Sequence, residues 1–396
     1  MMPAPHIMVV EPYAGGHQAY YLECLLREWS QRTDDGRVTV VVGPAFSQRH
    51  PGFAAWVESL HRDVDLLEAE FRAPTDGGVL RLIARDRSHG RIVRDLINDL
   101  RPDGVLLMYL DHFQFSLATG LRFRFPLHVS GVYFRPSFHY RRKMEGTGHG
   151  LVRSYLSRLL FHLACRNPHV RTVFPLDPIL AESVANLECD VVALPEPSTP
   201  LLPDRPRSDP RTVLLIGSLT RLKGVIQFLE SVDMLADAVR HSGRFVIAGL
   251  IADDLVETVS KWHDSIASAG VTSSIVNRFL ADDEVEDYVA RAGVVVLPYQ
   301  QHVGMSNVLV RAAKHGRPVI GPAFGLLGAL IRRHGLGLPV NTANPREISD
   351  GIAEFLTSHR VPGFDAASAH AFAERNTAEA FADTILQTVC AKSLNQ

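Results

Sequence analysis

The stretch LLIGSLTRLKGVIQFLE, Leu214–Glu230, decides how the chain folds. An apolar run ends at Gly217, a loop carrying Arg221 and the pair Lys223-Gly224 follows, and apolar residues recur at helical spacing from Val225. A short buried run feeding a helix through glycine is the strand–loop–helix unit of a parallel sheet. A lysine at a helix N-terminus adds its charge to the free N–H groups there, a suitable cradle for a diphosphate. A solvated loop lysine is the plainer alternative.

The same alternation extends in both directions. Upstream, strands are expected at Ile7–Val10, Val38–Val42, Val105–Tyr109, His128–Tyr133, Thr172–Phe174 and Val191–Leu194, with helices at Ala19–Arg32, Gly90–Leu100, Leu151–Arg166 and Pro178–Leu187. Downstream, strands Val213–Ile216, Phe245–Ala248, Ser274–Phe279, Val294–Leu297 and Pro318–Ile320 alternate with helices at Val225–Val239, Asp254–Ala269, Asp283–Ala292, Asn307–His315 and Leu327–Arg333, and the end from Pro345 onward is helical. Between the halves lies a proline- and charge-rich segment that continues neither a helix nor a central strand. The expected organisation is an α/β chain with a first Rossmann-like domain over residues 1–197, a linker over 198–210 and a second Rossmann-like domain over 211–376.

Composition agrees with two ordinary cores. The chain has 396 residues, 46% of them hydrophobic and 21% charged, and its formal charge is -2. A chain-wide electrostatic case for nucleic acid is therefore missing. The cysteines Cys24, Cys165, Cys189 and Cys390 are too few and too scattered for a disulfide framework or a zinc cluster, so a reduced, cytoplasmic compartment is expected. No stretch reaches the ~18 continuous apolar residues of a membrane span, which predicts a soluble protein.

Ligands of open α/β sheets sit beyond the carboxyl ends of the strands. The first strand ends in Gly15, Gly16 and His17, where paired glycines let a ligand approach the backbone, although a tight strand–helix turn explains them equally. Near the third site, Gly304, Met305, Ser306, Asn307 and Val308 open a helix, and Gly316-Arg317-Pro318 turns it into the next strand. From Tyr288 to Arg346 the sequence holds no Asp or Glu but carries Arg291, Arg311, Lys314, Arg317, Arg332, Arg333 and Arg346. Such a local excess beside glycine-rich strand ends favours an anionic ligand such as a nucleotide diphosphate.

In their order, these segments resemble the retaining GT-B glycosyltransferases of family four. IGSLTRLKGVIQFLES resembles that family's G-R-L-x-x-x-K-G unit, VVVLPY and GMSNVLVRAAKHGRPVI its donor-binding loop and helix, GLLGALIRRHGLGLPV its G-G-x-x-E…G-x-G end, and AGGHQAYYLECLL its first glycine loop. The resemblance implies a GT-B fold, two Rossmann-like domains facing across a cleft, with a C-terminal helix at about 377–396 packing back on the first domain. It implies a nucleotide-sugar donor held by Gly217, Ser218, Arg221, Lys223, Gly224, Gly304, Met305, Ser306, Asn307, Val308 and Arg311. The acceptor would be a glycan, a lipid-linked or a small molecule, and Gly15, Gly16, His17 and Asp111 would lie on that side. No cofactor and no metal are implied. His112 and His17 are candidates for the family's catalytic-side histidine, each with a packing role as the alternative.

Departures from the family pattern are as informative. Ser218 stands at the usual arginine of G-R-L, and the paired glutamates, which hold donor-sugar hydroxyls and ribose, fall at Val303 and Arg311. An arginine accepts no hydrogen bond, so Arg311 is expected to face a phosphate, a carboxylate or a carbonyl and to assist catalysis. Ser306 and Asn307 are the polar replacements for hydroxyl recognition.

Rival readings remain open at this level. Asp63-Val64-Asp65 matches a cation-binding D-x-D but lies in the acceptor half. A nicotinamide dehydrogenase lacks its G-x-G-x-x-G after the first strand. Arg122, Arg124, Arg141, Arg142 and Lys143 form a basic excess that suits peripheral contact with an anionic membrane or, equally, a solvated face. The missing glutamates also allow a catalytically inactive, nucleotide-sugar-binding partner subunit.

Overall fold

The computed structural model describes residues 5–13, 15, 18–32, 36–60, 62–71, 78–123, 125–136, 138–140, 148–184, 186–199 and 207–393, with the backbone alone at 79, 148–153 and 391–393. Two compact units are present, Met1–Pro197 joined by Ala378–Gln396, and Ser198–Thr377.

Among the described residues the first unit holds a seven-stranded parallel sheet of β1 (His6–Glu11), β2 (Arg37–Val42), β3 (Val64–Glu68), β4 (Gly104–Leu107), β5 (His128–Tyr133), β6 (Val170–Pro175) and β7 (Asp190–Val191), in the order β3-β2-β1-β4-β5-β6-β7. The second unit holds β8 (Thr212–Ile216), β9 (Arg244–Ala248), β10 (Thr272–Val276), β11 (Val294–Val296), β12 (Val319–Pro322) and β13 (Gly337–Val340), in the order β10-β9-β8-β11-β12-β13. Both sheets therefore reverse direction once, between β1 and β4 and between β8 and β11. That reversal is the switch point at which loops diverge and doubly wound folds bind their ligands.

Central strands are apolar throughout because helices cover both faces. β8 is buried from Thr212 to Ile216, and Phe228, Val232, Leu255, Val259, Ile348 and Ile352 pack with it in one core. Edge strands read differently. β3 carries VDLLE and is only half-buried, so its apolar signal is weak and the sequence reading omits it. Pairing with β2 and ion pairing of Arg37 Nε with Asp65 (2.8 Å) hold it in the sheet. That pairing also occupies one carboxylate of the D-x-D.

Three other differences have local causes. The helix expected from Gly90 starts a turn or more earlier, spanning Val79–Leu100, although Leu80 is 82% exposed and contributes no core signal. The helix expected over Val225–Val239 stops at Asp233, and a separate turn of helix covers Asp237–Ser242, with the buried Leu235 between them. β13, rich in glycine and proline, was not expected. Gly337 pairs with Val319 there at φ 143°, where an added Cβ would meet the Val319 carbonyl oxygen at 2.0 Å.

Helix Ala378–Ser393 lies in the first unit against helix Gln18–Gln31. Phe381, Ile385, Leu386 and Val389 are buried, Phe381 packs at 5.2 Å from the Tyr21 ring, and Arg32 pairs with Asp383 at 3.3 Å. Tyr21 Oη donates to the buried Glu196 carboxylate at 2.8 Å, tying the last residues of the unit's first segment to the same helix. Ile385 is fully buried. We expect Ile385→Ala to destabilise this unit by about 2–5 kcal/mol through lost transfer energy and a residual cavity. Urea unfolding followed by tryptophan fluorescence measures it. A loss below about 1 kcal/mol would show that this helix carries little of the unit's core.

Candidate functional site

In the second unit the site is built from the loops after β8 and β11. Gly217 ends β8 at φ 127°, and an added Cβ on the neighbouring Gly249 would lie 1.9 Å from the Gly217 carbonyl oxygen. The chain then forms a short turn, Arg221–Lys223, capped by Thr220, whose side chain accepts from the Lys223 N–H at 3.3 Å. Gly224 follows at φ 74°, and any side chain there would collide with the Pro298 carbonyl, 1.8 Å from an ideal Cβ. Glycine thus lets the lysine turn press against the loop after β11. Gln300 N–H donates to the Leu222 carbonyl at 2.8 Å and fastens the two loops together.

This close approach sets Lys223 Nζ over the Tyr299 ring, 3.7 Å from its centroid, a cation–π contact. Among the described residues no carboxylate pairs with Lys223. Tyr299 Oη shares a hydrogen bond with Ser306 Oγ at 3.3 Å, and Thr342 Oγ1 donates to the Tyr299 carbonyl at 2.7 Å. Ser306 precedes helix Asn307–Lys314, and its side chain makes no capping hydrogen bond there. Lys223, Gly224, Ser306 and the helix start come together around Tyr299, a residue the sequence reading passed over. A tyrosine two residues beyond a buried strand was its only signal.

Of the partners expected for Arg311, the structure supplies carboxylates. Its guanidinium is buried, donates to the Asp282 carboxylate, lies 3.5 Å from Glu286 and binds Asn307 Oδ1 at 2.5 Å. Two acids engage it in this structure, and no phosphate is among its partners. Asn307 Oδ1 is committed to the same contact. Three cations of the acid-free window from Tyr288 to Arg346 are paired with acids in the same way: Arg291, Arg311 and Lys314. Helix Asp282–Arg291, just before it in sequence, supplies Glu286 to Lys314 and His315 (2.6 Å each) and Asp287 to Arg291 (2.8 Å). Arg221 is likewise engaged by Asp254 at 2.7 Å on the surface, which leaves Lys223 as the diphosphate candidate of that turn.

In the first unit the corresponding loops follow β1 and β4. His112 ends a short turn, Leu110–His112, stacked on Tyr109 (4.4 Å between centroids) and edge-on to Tyr13 (4.7 Å). Asp111 faces away from any acceptor role: its carboxylate receives the N–H groups of Phe134 (2.9 Å) and Arg135 (3.1 Å) and so anchors the loop after β5. Burial raises its pKa to about 6 despite those bonds. Gly15 lies near Arg49, whose guanidinium an added Cβ would approach to 3.0 Å. Gly16, His17, Arg124, Arg141, Arg142 and Lys143 lie outside the described residues. The sequence reading also missed Glu11, fully buried at the end of β1, whose pKa burial pushes up to about 8. No helix among the described residues is long and apolar enough to cross a membrane, and none of their His, Cys, Asp and Glu side chains form a cluster able to hold a metal.

Glu286 is the hub of the second unit's polar network. Burial raises its pKa, but hydrogen bonds from His315 and Lys314 and the nearby charges outweigh that and bring it to about 2, from 4.5. Its stabilisation is therefore complete above about 4.5 and is lost as pH falls through about 2. We expect Glu286→Ala to cost about 3–5 kcal/mol, because it strands buried cations. Chemical unfolding at neutral pH measures the loss, and a cost under about 1 kcal/mol would dismiss the network as a structural hub.

Residues 210–358 match the family model described as Glycosyl transferases group 1. No curated protein matches the chain. Among solved structures, HepE of Anabaena in complex with UDP and glucose is similar at 14% identity and a TM-score of 0.60, covering 98% of this chain and 100% of that one. Sucrose-phosphate synthase from Thermosynechococcus elongatus is similar at 14% identity and 0.64, covering 99% and 100%. A glycosyltransferase from Rickettsia africae matches at 11% identity and 0.62 over 100% of both chains. At these identities the likeness speaks of fold. The second unit is thus similar to the glycosyl transferases group 1 model over residues 210–358, in a chain whose two Rossmann-like units have the GT-B fold.

Proposed function

We propose that this chain transfers a sugar from a nucleotide-diphosphate donor to a glycan, lipid-linked or small-molecule acceptor, with retention. The observation that carries the reading is Lys223, seated over Tyr299 beside the uncapped start of helix Asn307–Lys314, at the switch point of the second unit. A lysine free of acids and a row of helix N–H groups together suit the two negative phosphates of a nucleoside diphosphate. The same groups gain strength as the sugar–phosphate bond breaks and charge builds on the leaving oxygen. Retention needs no protein nucleophile, since that oxygen can take the acceptor proton on the same face. HepE, solved with UDP and glucose, offers a precedent for such a donor on this fold.

Recognition of the sugar must differ from the family pattern. Val303 offers no hydrogen bond from its side chain, and Arg311 is held by Asp282 and Glu286. Tyr299 Oη, Ser306 Oγ, the side chains of Gln301 and His302 and the backbone of Gly304 and Met305 are polar groups of that loop. In the first unit, His112 is the polar side chain best placed at the end of β4 to meet a substrate hydroxyl. Buried free thiols at Cys24, Cys165, Cys189 and Cys390 fit a reducing, cytoplasmic setting.

Lys223→Ala should weaken nucleoside diphosphate binding roughly ten- to hundredfold, the loss of one charge-assisted contact of about 1.5–3 kcal/mol. Calorimetry with UDP and GDP decides it, and equal affinity in both proteins sinks the assignment. Turnover should also persist in excess chelator, because Asp65 of the D-x-D is already paired with Arg37 and the donor charge has Lys223 to meet it. Loss of turnover restored by magnesium or manganese defeats that expectation. Nucleotide binding without turnover across a broad acceptor panel would favour the partner-subunit reading instead.

A further inference from the structure

Helix Val79–Leu100 brings Arg85 to the turn that carries His112, and Arg85 Nη2 lies 2.7 Å from His112 Nδ1. A guanidinium has donors only and keeps its proton at any pH a protein tolerates. Its partner must therefore be a lone pair. Nδ1 accepts, and the single imidazole proton sits on Nε2. From this contact we infer that Arg85 is a positioning residue that locks His112 as a neutral imidazole donating through Nε2–H. His112 then offers a hydrogen bond to an oxygen, such as a sugar hydroxyl or a phosphate oxygen, and takes no part as a general base.

The surroundings point the same way. Against His112 lie Arg85 from helix Val79–Leu100, Tyr13 beyond the end of β1 and Tyr109 from its own segment, and the charges of His89 and Arg135 also act on the ring. The acids of the neighbouring segments are engaged elsewhere: Asp111 by backbone N–H groups, Glu11 by the Tyr13 N–H at 3.0 Å. Asp86, next to Arg85, turns to Phe115 and Ser116. Among the described residues no acid is thus paired with the ring to offset the arginines. Burial, with the charges of Arg85, His89 and Arg135, lowers the His112 pKa to about 3. The ring is also packed by the Tyr109 stack and the T-shaped contact with Tyr13, which restrict its orientation.

The role of that donor rests on the transferase reading, but the tautomer does not. The test is imidazole ¹⁵N–¹H correlation spectroscopy on the full-length, ¹⁵N-histidine-labelled chain, with His112→Gln identifying the resonance. The expected result is one Nε2–H form that does not titrate between about pH 6 and 8, the range in which an unperturbed histidine changes charge. An Nδ1–H form, or titration in that range, overturns the proposal on the wild-type chain alone. Arg85→Met, which keeps the stem and removes the donors, should lose the single tautomer and populate Nδ1–H. Arg85→Lys, which restores a donor, should recover it. A sole Nε2–H form in a folded Arg85→Met chain would remove Arg85 from the role. These readouts need no sugar donor, so a failure to bind nucleotide would count against the transferase reading and leave the tautomer result standing.

Discussion

The order of strands in each sheet is the constraint on which everything else depends. In both units the second and third strands lie on one side of the first, and the fourth begins on the other. Helices leaving adjacent strands β8 and β11 therefore pass to opposite faces and part at the carboxyl edge. The gap is closed by the touch of two loops, with Gly224 against the Pro298 carbonyl. Because no Cβ fits there, Lys223 and Tyr299 are brought within 3.7 Å of one another. Backbone proximity, set by a glycine, thus fixes the position of the charge.

The central strands and the motifs at their ends were legible in the sequence because burial on both faces writes long apolar runs. Val213–Ile216, Phe245–Ala248 and Val294–Leu297 reappear as β8, β9 and β11 with ends shifted by a residue. Of the four edge strands, β7 and β10 were read with shifted bounds, and β3 and β13 were not legible. β3 alternates acids with leucines and β13 is glycine and proline by half, so neither carries the composition of a strand. Their membership is decided by pairing with a neighbour, Val38 with Val64 and Val319 with Gly337, information that local sequence does not contain.

Electrostatics was the least legible layer. A window free of acids from Tyr288 to Arg346 reads as a cationic patch only while neighbours in space are ignored. Helix Asp282–Arg291 packs against helix Asn307–Lys314 and brings Asp282 and Glu286 onto its basic side chains. Arg311 stands where the family carries an acid, yet its charge is turned inward and cancelled. The reverse holds for Lys223, whose own segment is unremarkable in charge and whose ammonium meets an aromatic face in place of a carboxylate. The capacity to hold an anion follows from which cations lack acids, and that is a property of the fold.

The two units use arginine in contrasting ways. Arg311 is neutralised by carboxylates and serves stability. Arg85 is placed against an imidazole, where its charge keeps the ring neutral. A neutral, oriented donor suits chemistry in which the departing diphosphate oxygen itself removes the acceptor proton, because a competing base beside the sugar has no task there. A dehydrogenase or an enzyme with a histidine base demands the opposite, an acid paired with the ring to raise its basicity. Around His112 the acids Asp111, Glu11 and Asp86 are each drawn off to backbone or hydroxyl groups. The same arrangement that anchors the loops after β1 and β5 therefore engages these acids elsewhere than on the imidazole we propose as a hydrogen-bond donor.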